Sequence, residues 1–355
     1  SDTSDHAMKM PLAGQSLLLD IAAAGDRLVA VGERGHILHS DDAGANWVQA
    51  DVPTSVMLTR VFFLDDQLGW AVGHDGNILL SRDGGESWEL QRHGVTEQAQ
   101  INEERAGRAK QQVGELQAQL AAAPEDETED LQLALEEAEY QLKNAREALD
   151  EAVYAPPLMD VWFADENVGW ASGAYGTLLR TGNGGRDWAD WSYKANNADE
   201  LHLNGVIGAP GGDLYLASEW GTVFRSRNGG ENWEALETGY DGSFFGVLVS
   251  PSSGSVFAYG LLGTVYRSTD GGDSWEELES KARASLFGGH VNAQGQLVLV
   301  GQGGSATRSD DDGETFEVIA QPSRKGLHGV APMGDGEYMV TGDGGSRPLT
   351  GGAQQ

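Results

Sequence analysis

The sequence predicts an all-β fold, a seven-bladed β-propeller closed by an N-terminal strand and interrupted by an inserted antiparallel two-helix coiled-coil hairpin. Three observations predict it. A turn motif, Ser/Thr-x-Asp/Asn-x-Gly-x-x-Trp/Phe, occurs six times, with copies beginning at Ser40, Ser81, Thr181, Ser226, Ser268 and Ser309. An apolar strand and a Gly-bounded hairpin precede each copy, as in Val61 to Phe63, Gly69 to Gly73 and Gly76 to Ser81. Over residues 96–153 the glycines thin out and Ala, Glu, Gln and Leu replace them.

The motif starts are 41, 100, 45, 42 and 41 residues apart, so one interval holds an ordinary repeat plus an insertion. Four short strands in each repeat of this length are the signature of a propeller blade. Further inner strands at Leu19 to Ile21, Gly205 to Ile207, Gly246 to Leu248, His290-Val291 and Gly329-Val330 bring the blades to seven. The seventh lacks its aromatic and its outer strand. Residues 6–11 stand where an orphan outer strand is expected and are assigned to complete that blade, which leaves no free sheet edge. The chain therefore divides into blades 1 and 2 with the closing strand (1–95), the helical insertion (96–153) and blades 3 to 7 (154–355).

Within each motif the carboxylate or amide, Asp42, Asp83, Asn183, Asn228, Asp270 and Asp311, is expected to bond backbone groups of a turn. The glycine supplies a positive φ. Six equivalent copies cannot all be one active site, so the assignment is structural. Seven of the ten tryptophans follow from repeat position; Trp162, Trp191 and Trp220 do not.

In the insertion, Leu131, Leu135, Ala138, Leu142, Ala145, Leu149 and Ala152 alternate in spacings of four and three, a heptad seam. The first half is weaker and carries Gly107 and Gly114, each costing roughly 1 kcal/mol against Ala. Residues 123–126, Ala-Pro-Glu-Asp, break the run into two legs of similar length.

Lys and Arg number 23 against 55 Asp and Glu, a net charge of −32, which is the wrong sign for a nucleic-acid partner. No apolar stretch is long enough to insert in a membrane. Without cysteine, thiol catalysis, disulfides and zinc–thiolate sites are excluded. The histidines show no metal-ligand spacing, and no cofactor is expected. The chain starts at Ser1 and is expected to be exported, its leader trimmed.

The insertion joins the outer strand of blade 2 to the inner strand of blade 3. In an up-and-down blade that connection lies at the end that carries the turn between second and third strands. At those tips blades 3, 4 and 5 place Tyr175, Trp220, Leu261 and Leu262, where polar turn residues are expected. Together with Tyr140 on the hairpin they are the candidate partner-binding residues. Asp20, Arg60, Asp160 and His290 fall near inner-strand starts and are assigned to one equivalent position on the rim of the central channel, either a solvated mouth or a small-ligand site.

The turn motif resembles the Asp-box, or BNR repeat, of sialidase-type propellers. The strands Gly69-Trp70-Ala71-Val72-Gly73 and Gly169-Trp170-Ala171-Ser172-Gly173, coupled to the boxes Ser81 to Trp88 and Ser268 to Trp275, resemble the photosystem II stability/assembly factor family. The resemblance implies a non-enzymatic exported factor that holds or assembles a membrane-protein complex. Its non-photosynthetic bacterial relatives imply an accessory subunit of an envelope machine such as a resistance-nodulation-division exporter. The partner is then an integral membrane protein or envelope complex, and the location periplasmic. The alternative is an Asp-box glycoside hydrolase or carbohydrate-binding propeller. Sialidase chemistry needs three converging arginines, whereas Arg180, Arg225, Arg267 and Arg308 are one repeat position, read as exposed strand-end charges beside acidic neighbours.

Overall fold

The computed structural model describes residues 5–124 and 127–350. It divides into two compact units, residues 1–92 with 156–355, and residues 93–155.

The first unit is the propeller. Each sheet is an antiparallel meander, as in Leu58–Phe63, Gly69–Gly73, Ile78–Ser81 and Glu89–Arg92 of blade 2. The inner strands of the seven sheets are Leu18–Ala24, Leu58–Phe63, Leu158–Phe163, Gly205–Gly208, Phe244–Val249, Leu286–Val291 and Leu327–Gly334. The second strands are almost continuously buried, because a central strand of a blade packs against both neighbouring blades. Val29, Val31 and Ile37 of blade 1 meet Val61, Ala71 and Leu79 of blade 2 in one apolar cluster. Between blades 2 and 3, Trp70 stacks on Phe163 with ring centroids 3.4 Å apart.

The motif turns carry the blade-to-blade contact. In blade 1 the Ser40 hydroxyl donates to Asp42 Oδ1 (2.8 Å), and the Gly44 and Asn46 amides donate to Ser40 Oγ (2.9 Å) and Asp42 Oδ1 (2.8 Å). The same bond to the side chain at the Asp/Asn position recurs at Asp83, Asn183, Asn228, Asp270 and Asp311. Gly85 and its equivalent Gly272 have φ of 90° and 101°, a region closed to most side chains. Their carbonyls accept the indole N–H of Trp88 and Trp275, whose rings pack against the preceding blade.

Closure differs from the expectation. Among the described residues the last sheet has three strands, Leu327–Gly334, Glu337–Gly342 and Gly345–Pro348. The segment assigned to complete it runs instead beside blade 1. The Ala7 amide donates to the Val52 carbonyl (3.0 Å), the Met10 amide to Gln49 Oε1 (2.9 Å), and Gln49 Nε2 to the Met8 carbonyl (2.9 Å). The ring closes through side chains: Leu18, Ile21, Leu28 and Leu38 of blade 1 share a core with Ala331 and Met339 of blade 7. At that seam a Cβ on Gly329 would stand 2.8 Å from the Asp20 Cα, so only glycine permits the approach.

The second unit is a helical hairpin, α1 (Gly94–Ala122) and α2 (Thr128–Asp150). His93 caps α1, its Nδ1 accepting from the Thr96 amide at 3.4 Å. Val113 of α1 packs against Ala138 and Leu142 of α2, with Ala109, Leu116 and Leu135 around them. The seam is thus real at its centre, whereas Leu149 near its end is exposed. Twenty-nine residues at 1.5 Å each make α1 about 43 Å long.

Candidate functional site

The turn between second and third strands has one backbone form in six blades. Its middle residue, Arg34, Asp75, Tyr175, Trp220, Leu262 or Gly303, has φ between 53° and 68°. For a residue with a Cβ this left-handed conformation costs about 1–2 kcal/mol. Glycine or Asn would relieve it, yet three successive blades hold large apolar groups there. Tyr175, Trp220 and Leu262 are 55%, 64% and 74% exposed. The following glycine is obligatory, since a Cβ on Gly221 would lie 1.8 Å from the Tyr240 carbonyl oxygen. Leu261 differs from its neighbour: it is half-buried, and its amide donates to the Ser243 carbonyl (3.2 Å), so Leu262 carries the exposed surface.

The propeller residues that flank the insertion in sequence, Arg92 and Leu158, lie at this same end of the sheets. Leu158 pairs with Gly173, the residue before the blade 3 turn, and Arg92 Nη1 donates to the Gly76 carbonyl inside the blade 2 turn (2.6 Å). Tyr140, on α2 of the separate hairpin, is 58% exposed.

The channel residues do not form one ring. Asp20, Arg60 and Asp160 are equivalent, each following a register irregularity in its inner strand, and Gly246, Gly288 and Gly329 hold the same place in blades 5, 6 and 7. His290 lies two residues further along, opposite Val298. Arg60 sits between Asp20 (3.7 Å) and Asp160 (3.4 Å). Each aspartate also reaches the next blade: Asp20 Oδ2 accepts the Val61 amide and Asp160 Oδ2 the Val206 amide, both at 2.9 Å. The trio clamps blades 1 to 4 and is no open rim. Burial pushes the Asp20 carboxyl up to about 6 against the opposing pull of Arg60, and raises Asp160 likewise. Burial lowers His290 to about 4.

Two of the four recurring arginines are not exposed charges, while Arg308 is partly exposed and pairs with its acidic neighbour Asp310 (2.6 Å). Arg225 and Arg267 are buried and donate across to the next blade, to Asp273 (2.8 Å) and Glu314 (2.7 Å), and to Glu234 (2.9 Å) and Glu276 (2.6 Å) on their own outer strands. They hold neighbouring blades together rather than converging on a substrate. Among the described residues no group of three His, Asp or Glu side chains is placed to hold a metal ion, and no helix is long and apolar enough to cross a membrane.

Sequence reasoning missed one feature here, a cavity of about 500 Å³ lined by Trp162, Trp170 and Arg180. The unexplained Trp162 was its signal. Of the other two, Trp191 stands edge-on to Trp170 (5.5 Å) beneath Arg180, and Trp220 is the exposed turn tip.

With this geometry fixed, the model of the family described as photosynthesis system II assembly factor YCF48 matches residues 142–346, more than half of the chain. The chain belongs to this family. A curated relative, the chloroplastic photosystem II stability/assembly factor HCF136 of Cyanidioschyzon merolae, is 38% identical over 78 residues, which is 20% of this chain and 18% of that protein. The chain thus matches under a fifth of that relative's length. Among solved structures, YCF48 bound to D1 peptide superposes with a TM-score of 0.63 at 14% identity, covering 98% of this chain and 96% of that one. YCF48 from Cyanidioschyzon merolae gives 0.60 at 15% identity, covering 97% and 98%. The WD40 propeller domain of Doa1 gives 0.63 at 12% identity, covering 97% and 94%. At these identities the superpositions establish the shared propeller fold.

Proposed function

We propose that this chain is a non-enzymatic assembly or accessory propeller, exported to the cell envelope, that binds an integral membrane protein through the turn end of blades 3 to 5. One observation carries the reading: Tyr175, Trp220 and Leu262 occupy the same left-handed turn position in successive blades and are all exposed. Backbone strain retained at exposed apolar tips is better accounted for by recognition than by folding, because each tip lowers stability and buries little. Aromatic and aliphatic anchors of this kind can contribute about 2 kcal/mol each once desolvated. The surrounding negative charge then sets association rate and salt sensitivity.

Family membership supports an assembly role, and the solved YCF48 that carries a D1 peptide supports a membrane-protein segment as ligand. The specific client we favour is a resistance-nodulation-division exporter, with this chain as its accessory subunit. Tyr140 on the hairpin is a separate candidate contact. Glycoside hydrolysis is disfavoured by the inter-blade ion pairs that occupy Arg225 and Arg267.

The test is quantitative purification of partners from detergent-solubilised native membranes. Wild type, Trp220→Ala/Leu262→Ser and the chain with 96–153 replaced by a short Gly/Ser linker are compared. An integral membrane protein recovered with wild type and lost with the turn-end variant supports the proposal. Recovery of none, or undiminished recovery with both variants, contradicts it.

A further inference from the structure

The arginine before each box serine or threonine has two carboxylate partners in blades 4 and 5: the residue paired with it on its own outer strand, Glu234 or Glu276, and the residue after the second box glycine of the next blade, Asp273 or Glu314. Blade 3 has lost both. The residue paired with Arg180 is Ala189, and the box residue of blade 4, Glu231, is held by Lys194 at 2.6 Å. Arg180 is left without a carboxylate partner among the described residues, and its Nε is buried without a hydrogen bond. Its guanidinium lies 5.6 Å from the Trp170 ring and 4.7 Å from the Trp191 ring.

This cation opens on the cavity of about 500 Å³ lined by blades 3, 4 and 5, at the box end, opposite the turn tips. Trp162, Trp170, Pro210, Val249 and Pro251 form its apolar wall. Volume and lining are those of a small-molecule site, apolar with one polar group that fixes orientation. We infer that this cavity binds a small apolar monocarboxylate, its aromatic or branched body between Trp162 and the proline wall and its carboxylate on Arg180. A planar guanidinium takes a carboxylate through two parallel hydrogen bonds, the pairing that the repeat supplies from protein in blades 4 and 5. A cation in an apolar cavity excludes cationic ligands and disfavours neutral ones, which leave the guanidinium unsatisfied.

The test is titration calorimetry of the full chain with indole-3-propionate, its neutral amide and the tripeptide Ala-Ala-Phe. One saturable site for the acid is expected, with binding at least about tenfold weaker for the amide and for Arg180→Gln or Trp162→Ala. Arg308→Gln, which changes the same repeat position in blade 6 where Asp310 is the partner, is expected to leave binding unchanged. Equal binding of acid and amide by wild type overturns the assignment without relying on any variant. So do absence of saturable binding by the acid, retention in Arg180→Gln, and Arg180-dependent binding of the tripeptide alone, which would place a peptide terminus there. None of these outcomes bears on the turn-end proposal, whose residues lie at the other end of the strands.

Discussion

The Tyr175 amide donates to His202 Nδ1 at 2.8 Å, and the two rings stand edge to face with centroids 4.9 Å apart. His202 comes from the segment leading into blade 4, and its own amide donates to Glu219 Oε2 (2.8 Å), beside Trp220. Two of the strained tips are therefore linked through one histidine. Replacing His202 by Ala is expected to leave the fold intact and loosen Tyr175, seen as increased hydrogen exchange at the blade 3 turn.

Strain at the tips makes a second prediction with an unusual sign. Tyr175→Gly, Trp220→Gly and Leu262→Gly each remove an exposed side chain from a left-handed position. Each should raise stability by up to about 1 kcal/mol in urea unfolding, glycine's greater unfolded-state entropy offsetting part of the relief. The same variants should bind the partner more weakly. A fall in stability in all three would show that the tips are packed in the folded chain.

The buried clamp gives a pH dependence. Asp20 titrates near 6 when folded and near its ordinary 3.8 when unfolded. Between these values the folded chain holds a proton that the unfolded chain has released, so the contribution of Asp20 to stability falls as pH rises from about 4 to 6. His290 acts oppositely: buried neutral with a folded value near 4, it contributes stability that is lost as pH falls from about 6.5. Carboxyl and imidazole NMR titrations should resolve both. Arg60→Gln removes the cation between two buried carboxylates and is expected to cost about 3 kcal/mol at pH 7 and less at pH 5, where Asp20 protonates.

In the hairpin, a Cβ added at Gly107 or Gly114 meets nothing within 4 Å. Each Gly→Ala change should therefore stabilise α1 by roughly 1 kcal/mol, measured by helical circular dichroism on heating.

The box turns were legible in the sequence because Ser40, Asp42 and Gly44 bond one another and need no distant partner. The turn tips were legible for the same reason: topology alone assigns Trp220 and Leu262 to one end. Closure was not, because residues 6–11 could be placed only by knowing that Gln49 offers both its side-chain amide and carbonyl to them. The rim was misaligned by His290 because the irregularity after Leu286 shifts the phase of the strand, and the equivalent residue is Gly288. Arg180 became distinctive only when register set Ala189 opposite it, where Glu234 and Glu276 stand in the next blades.

Whether the turn end of blades 3 to 5 is the partner surface is decided by site-specific photo-crosslinking in native membranes. A photoreactive phenylalanine is placed at Trp220, at Leu262 and, as a control, at Val318, which is 59% exposed on the outer strand of blade 6. Positions 220 and 262 are expected to crosslink to the same integral membrane protein while position 318 does not. Crosslinking from 318 alone, or equally from all three, would contradict this assignment.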